Sequence, residues 1–337
     1  MKDLLKSIYS HLEDDLSKFI FSQRVCYSLL DDYKYIFRIL KEADLLGQEF
    51  SKIKRSDVVI FSAGRLGKMV KENYRNINVL AFIDNFLATE LYEGIPVISL
   101  QEYLMSYKGT CILLANKYHD MEIYQQLKEA GVKDEEIVNL GAIHRERIAR
   151  QYFDLPQLNL GSNKEVFVDC GCYDGFSTEQ FIHYCDGNYE KVWAFEPDRK
   201  NIVIAKKRLE HCCVGRYELI NSGVWNENTN LRFFEEGNVS SSISSSGNTI
   251  VNVSRMDDVV QGNVTLIKMD IEGAESEALQ GCKRIIQEYK PRLAISVYHK
   301  KDDILRIPEL ILEMNSDYHF YLRHYSITEH DTILYAV

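Results

Sequence analysis

Val166-Phe167-Val168-Asp169-Cys170-Gly171-Cys172-Tyr173-Asp174-Gly175 decides the reading of this chain. An apolar run ends on an acid, and two glycines then turn the chain into a helix expected from Phe176. A second apolar run over 191–195 ends on Glu196, 21 residues beyond Gly175 (from 175 to 196). This is the layout of a βαβ unit that holds a nucleoside. The glycines let the backbone approach the ligand, and the second acid meets the ribose hydroxyls. The pattern points to an adenosine-containing cofactor.

Further apolar runs follow the first two. Strands are expected over 165–169, 191–196, 217–224, 264–270, 292–298, 318–324 and 331–337, with helices after the first, second, fourth and fifth. The last strand starts just past a short turn and is expected to insert antiparallel. Ligands of such a sheet sit beyond the carboxyl ends of its strands. Asp169, Glu196, the segment Asn221-Ser222-Gly223, Asp270 and His299 occupy five successive strand ends. The serine-rich run Ser240-Ser241-Ser242-Ile243-Ser244-Ser245-Ser246-Gly247 is expected to be a mobile loop, read either as the rim of a substrate mouth or as plain surface.

Upstream, Val58-Val59-Ile60-Phe61 reads as a buried strand, and Ser62-Ala63-Gly64-Arg65-Leu66-Gly67 as its turn. Val79 to Ile83 then ends at Asp84, 20 residues past Gly64 (from 64 to 84). Ser62 stands where the first glycine of such a turn is usual. Two readings stay open: a nucleotide or nucleotide-sugar site, or a fold used for packing or dimerisation. Before it, apolar residues at helical spacing (Leu4, Ile8, Leu12, Leu16, then Tyr35, Leu40, Leu45) suggest two or three packed helices. The chain therefore reads as α/β, with two doubly wound sheets in series. A helical segment over 1–50 precedes a Rossmann-like domain over 51–150 and a seven-stranded domain over 151–337.

Composition narrows the function. Of 337 residues, 45% are apolar, enough for full cores, and the net charge of −10 argues against a nucleic-acid partner. No apolar run is long enough to span a membrane, and the first residues lack a secretory core. None of the eight cysteines falls in a Cys-x-x-Cys pair, so reduced, packed thiols and a cytoplasmic location are expected.

Four segments carry a resemblance: Val-Asp-Cys-Gly-Cys-Tyr-Asp-Gly-Phe-Ser-Thr (168–178), Ala-Phe-Glu-Pro-Asp (194–198), Leu-Ile-Lys-Met-Asp-Ile-Glu-Gly-Ala-Glu (266–275) and Pro-Arg-Leu-Ala-Ile-Ser-Val-Tyr-His (291–299). From about 164 to the end the chain resembles the FkbM family of S-adenosylmethionine-dependent methyltransferases. The resemblance implies a class I methyltransferase fold and O-methylation of a hydroxyl on a sugar, glycan precursor or similar small molecule. Carried over by position, it implies that Glu196 holds the ribose, followed by Pro197, and that Asp198 and Asn201 lie toward the adenosine. It also implies that Ser222 and Gly223 flank the adenine. Gly171, Tyr173, Gly175, Phe176 and Ser177 belong to the turn against the methionine half. Asp169 either fixes that turn or meets the cofactor's amino group through water. Tyr173, Asp174 and Ser296 depart from the residues common in the family, which bears on cofactor contact and base orientation.

Methyl transfer from a sulfonium needs an aligned acceptor oxygen and a route for its proton. Asp270, Glu272 and His299 are the candidates, with His299 favoured as base and Asp270 orienting it or the acceptor; Asp270 is also read as a cofactor contact. The same donors also admit a divalent ion. Asp270-Ile271-Glu272-Gly273 differs from the Asn/Asp-Pro-Pro-Tyr/Phe block of enzymes that methylate base nitrogens. Two other function classes remain: a nicotinamide or nucleotide-sugar enzyme built on the first glycine turn, and a non-catalytic cofactor-binding module.

Overall fold

Apolar runs buried on both faces become the central strands of two sheets in the computed structural model. The described residues are 2–42, 57–74, 77–87, 89–161, 164–213, 215–234, 242–243 and 249–337. They form two compact units. One comprises Met1–Asp31, Arg150–His324 and His330–Val337, the other Asp32–Ala149 and Tyr325–Glu329. Among the described residues no helix is long and apolar enough to cross a membrane.

In the second unit, β1 (Asp57–Phe61), β2 (Asn78–Ile83), β3 (Leu91–Tyr92), β4 (Ile95–Ile98), β5 (Cys111–Leu114) and β6 (Ile137–Asn139) form one sheet of order β3-β4-β2-β1-β5-β6. Only the β3–β4 pair is antiparallel. Alternate residues feed two cores: Val58, Ile60, Phe82 and Leu113 on one face, and Val59, Phe61, Ile83, Ile112 and Leu114 on the other. Burial on both sides is why these strands read as continuous apolar runs. The helix Lys34–Glu42 belongs to this unit; Leu45 of the expected stripe lies outside the described residues.

In the larger unit, β7 (Glu165–Cys170), β8 (Tyr189–Phe195) and β9 (Tyr217–Ile220) lead into β10 (Gly223–Val224), β11 (Thr229–Phe234), β12 (Ser242–Ile243) and β13 (Thr249–Ser254). They are followed by β14 (Leu266–Met269), β15 (Arg292–Ser296), β16 (Phe320–His324) and β17 (Thr332–Ala336). The main sheet has seven strands in the order β16-β17-β15-β14-β7-β8-β9, and β17 inserts antiparallel to both neighbours, as its short approach predicts. Helices Phe176–Tyr184, Arg199–Cys212, Glu275–Gln280, Lys283–Tyr289 and Asp303–Met314 fill the crossovers. Chain order reverses between β7 and β14, which places the switch point beside Asp169 and Asp270.

Two features go beyond the sequence reading. The gap between the third and fourth strands holds a second sheet of order β10-β13-β11-β12. Ser242 and Ile243 of the expected serine loop form β12 and pair with Phe234 and Phe233. The rest of that run lies outside the described residues. In addition, helices Lys2–His11 and Asp15–Leu30 belong to this unit and cover β16. The Leu322 amide donates to Ser17 Oγ (2.9 Å) and the Glu13 amide to the Phe320 carbonyl (3.0 Å). An edge strand with free amides is a pairing hazard, and these helices blunt it.

Candidate functional site

Asp169 is fully buried near the end of β7, where an unpaired charge is costly. Its Oδ2 accepts hydrogen bonds from Ser177 Oγ (2.6 Å) and Thr178 Oγ1 (2.7 Å), which fastens the turn to the helix it starts. Its Oδ1 stands 3.1 Å from Lys268 Nζ. That ammonium also donates to the carbonyls of Gly171 (2.7 Å) and Cys170 (3.2 Å), so strand β14 holds the turn after β7. Burial alone lowers the pKa of Lys268, but Asp169 and Asp270 outweigh it and hold the pKa above its ordinary value. Of the two roles read for Asp169, its contacts are those of a group that fixes the turn.

Gly171 needs to be glycine on two grounds. Its φ is +78°, and an added Cβ would sit 2.2 Å from the Asp270 carbonyl oxygen. The turn is therefore pressed against the end of β14. Tyr173 and Phe176 follow it, 41% and 38% exposed, and the Arg208 guanidinium lies over the Phe176 ring at 5.6 Å.

Glu196, just past β8, is nearly sealed. Oε2 accepts from the Tyr173 amide (3.1 Å), and Oε1 from the Asp198 amide (2.9 Å) and Asn201 Nδ2 (3.3 Å). Burial pushes its pKa up against these donors. A glycine turn, nearby aromatic rings and a buried carboxylate whose Oε2 keeps a further lone pair fit a nucleoside with its ribose hydroxyls. Asp198 is committed locally: its Oδ1 accepts from the Lys200 and Asn201 amides as the N-cap of Arg199–Cys212. Asn221 Nδ2 donates to the carbonyls of Glu196 and Pro197, both at 3.0 Å. Ser222 is buried, its Oγ 3.2 Å from the Asn252 carbonyl and 2.9 Å from Ser254 Oγ, and Gly223 pairs with Val253. This side of the site is thus walled by β13.

The third group gathers past β14 and β15. Tyr152 OH donates to Asp270 Oδ2 (2.5 Å); Ser296 Oγ (2.9 Å) and Tyr298 OH (3.1 Å) donate to Oδ1. Burial alone raises the pKa of Asp270, yet the charges of His299 and Lys268 and these hydroxyls hold it below the ordinary carboxylate range. His299 Nε2 lies 3.4 Å from Asp270 Oδ1 and 3.7 Å from Glu272 Oε2, and its Nδ1 lies 3.0 Å from Glu275 Oε1. Burial works against the imidazolium, but three carboxylates overcome it and push the ring up to about 10. Burial pushes Glu272 up to about 7 despite the nearby His299 charge. These carboxylates favour the charged form of the ring, which bears directly on the reading of His299 as base.

Asp270, Glu272 and His299 are brought together as expected from their strand ends. Lys268, Tyr152, Tyr298 and the pairing of Glu275 with His299 were not anticipated. Lys268 does leave a signal, since a lysine inside the apolar run Leu266-Ile267-Lys268-Met269 demands a buried counter-charge. Tyr152 leaves none, because its partner is 118 residues away.

In the smaller unit, Ser62 has φ +89°, and the Asp84 carboxylate accepts from the amides of Ala63 (3.0 Å), Phe86 (2.9 Å) and Leu87 (2.9 Å). The acid stitches the turn to the end of β2.

A seven-stranded sheet of this order, with its switch point between β7 and β14, defines the class I methyltransferase fold. Residues 169–323 match the family described as the methyltransferase FkbM domain. The crystal structure of methyltransferase FkbM from Methylobacillus flagellatus KT is similar at 23% identity and a TM-score of 0.50, over 87% of this chain and 93% of that one. An rRNA methylase from Streptococcus thermophilus shares 18% identity over 58% of this chain and 93% of its own, with a TM-score of 0.36. Aeropyrum pernix fibrillarin, in complex with natively bound S-adenosyl-L-methionine, shares 9% over 57% and 73%, also at 0.36. No curated protein matches the chain.

Proposed function

We propose that the larger unit is an S-adenosylmethionine-dependent O-methyltransferase that acts on a hydroxyl of a sugar, glycan precursor or similar small molecule. The observation that carries this reading is the convergence at one switch point. The Gly171 turn, held by Asp169 and Lys268, abuts the Asp270 carbonyl, while Glu196 closes the neighbouring strand. The cofactor, when bound, supplies an electrophilic methyl on a sulfonium. Glu196 holds the ribose hydroxyls, and Tyr173 and Phe176 shield the turn. Pro197 and Asn201 shape the nucleoside side, and Ser222 and Gly223 form its wall. Asp270, Glu272 and His299 surround the acceptor and handle its proton, and much of the acceleration comes from holding the acceptor oxygen in line. The Asp-Ile-Glu-Gly block at 270–273 supports oxygen over nucleobase nitrogen as acceptor.

Calorimetry with S-adenosylmethionine and its demethylated product tests the cofactor half of the reading. Binding of both is expected, together with a rise in Tm, and Glu196→Ala is expected to abolish both effects. A folded wild-type chain that binds neither ligand refutes the assignment. Methyl transfer across a panel of hydroxyl compounds tests the acceptor half.

A further inference from the structure

We propose that Asp270, Glu275 and His299 form a divalent-cation site. Their ligand atoms all lie within 4.8 Å of one another, and Glu272 Oε2 stands close by, 3.7 Å from His299 Nε2. Octahedral bonds of about 2.1 Å place adjacent ligand atoms roughly 3.0 Å apart. The Glu275 Oε1 to His299 Nδ1 separation is 3.0 Å. Among the described residues, neither nitrogen of the His299 ring has a partner with hydrogen-bond geometry.

A second observation is independent of that spacing. Glu275 is completely buried, and while its Oε1 accepts from the Ile271 amide (2.9 Å), its Oε2 has no partner. A carboxyl oxygen left bare in a protein interior is costly, and a bound cation would satisfy it. Three carboxylates face the one imidazole. Carboxylates plus a single imidazole, with no thiolate in the group, suit an ion of the Mn2+ or Mg2+ kind rather than a soft metal. Bound there, such an ion supplies Lewis acidity at the end of β14.

The test titrates Mn2+ into the chelator-treated full chain, with free Mn2+ read by electron paramagnetic resonance. One Mn2+ per chain is expected. Glu275→Gln and His299→Gln, nearly isosteric, are each expected to weaken it by about tenfold or more. Pulsed spectra of the wild-type complex are expected to show nitrogen modulation from one imidazole, a readout that does not depend on the variants folding. Absence of saturable binding, absence of nitrogen modulation, or unchanged affinity in both folded variants each overturns the proposal. The titration needs neither cofactor nor acceptor, so its failure is distinct from failure of the methyl-transfer reading.

Discussion

Lys268 Nζ stands 3.1 Å from Asp169 Oδ1, with the two side chains 3% and 0% exposed. One pair thus locks β14 to the turn that follows β7. Removing a single partner strands the other charge in the interior. Lys268→Met is expected to cost about 3–5 kcal/mol in urea unfolding, and Asp169→Asn in the same chain to recover part of it. A single variant within about 1 kcal/mol of wild type would show that the pair does not hold the turn.

Gly171→Ala is expected to damage the site through backbone alone. The residue sits at φ +78°, and its new Cβ would meet the Asp270 carbonyl oxygen at 2.2 Å. Either the turn or the end of β14 has to shift. Affinity for S-adenosylmethionine is expected to fall by about tenfold or more, equivalent to at least roughly 1.4 kcal/mol. Calorimetry on the folded variant checks this, and wild-type affinity would contradict it.

Tyr152→Phe separates chemistry from cofactor binding. The hydroxyl donates to Asp270 Oδ2 at 2.5 Å. Losing a hydrogen bond to a charged acceptor, worth about 1.5–3 kcal/mol, is expected to lower the methyl-transfer kcat by about tenfold. The cofactor Kd is expected to stay at the wild-type value. An equal change in both would place Tyr152 in the cofactor site.

Asp303 gives a pH signature. Burial pushes its carboxyl up to about 7 from 3.8, with Glu275 adding repulsion; the Lys300 amide, His299 and Lys300 oppose the shift. A raised carboxyl pKa means stability is greatest below 3.8 and is lost as the pH rises toward about 7. Asp303→Asn removes this dependence and keeps an oxygen to accept the Lys300 amide. In chelator-treated protein the variant is expected to gain on wild type by about 1–3 kcal/mol between about pH 4 and about pH 8. Glu272, also pushed up to about 7, drives both chains in the same direction and cancels in the difference. A constant difference across that window would show that Asp303 is not held protonated.

The main sheet was legible because its signals are local. Doubly buried strands need unbroken apolar runs, and a tight turn at positive φ needs glycine, as at Gly171 and Gly175. Acids at successive strand ends announce the side on which ligands sit. The β10–β13 sheet was less legible. Two of its strands, β10 and β12, have only two residues each, and among the described residues its buried cluster is Val251 and Val253.

By itself the sequence determined the strand list, the glycine turns and the row of polar groups at the strand ends, since each depends only on neighbours along the chain. Tertiary structure alone decided who meets whom: Tyr152 on Asp270, Lys268 on Asp169, Glu275 on His299, and two N-terminal helices on β16. It also decided the charge state of the acid–base group, because desolvation and Coulomb energy depend on distance and burial in space, which residue order along the chain does not specify.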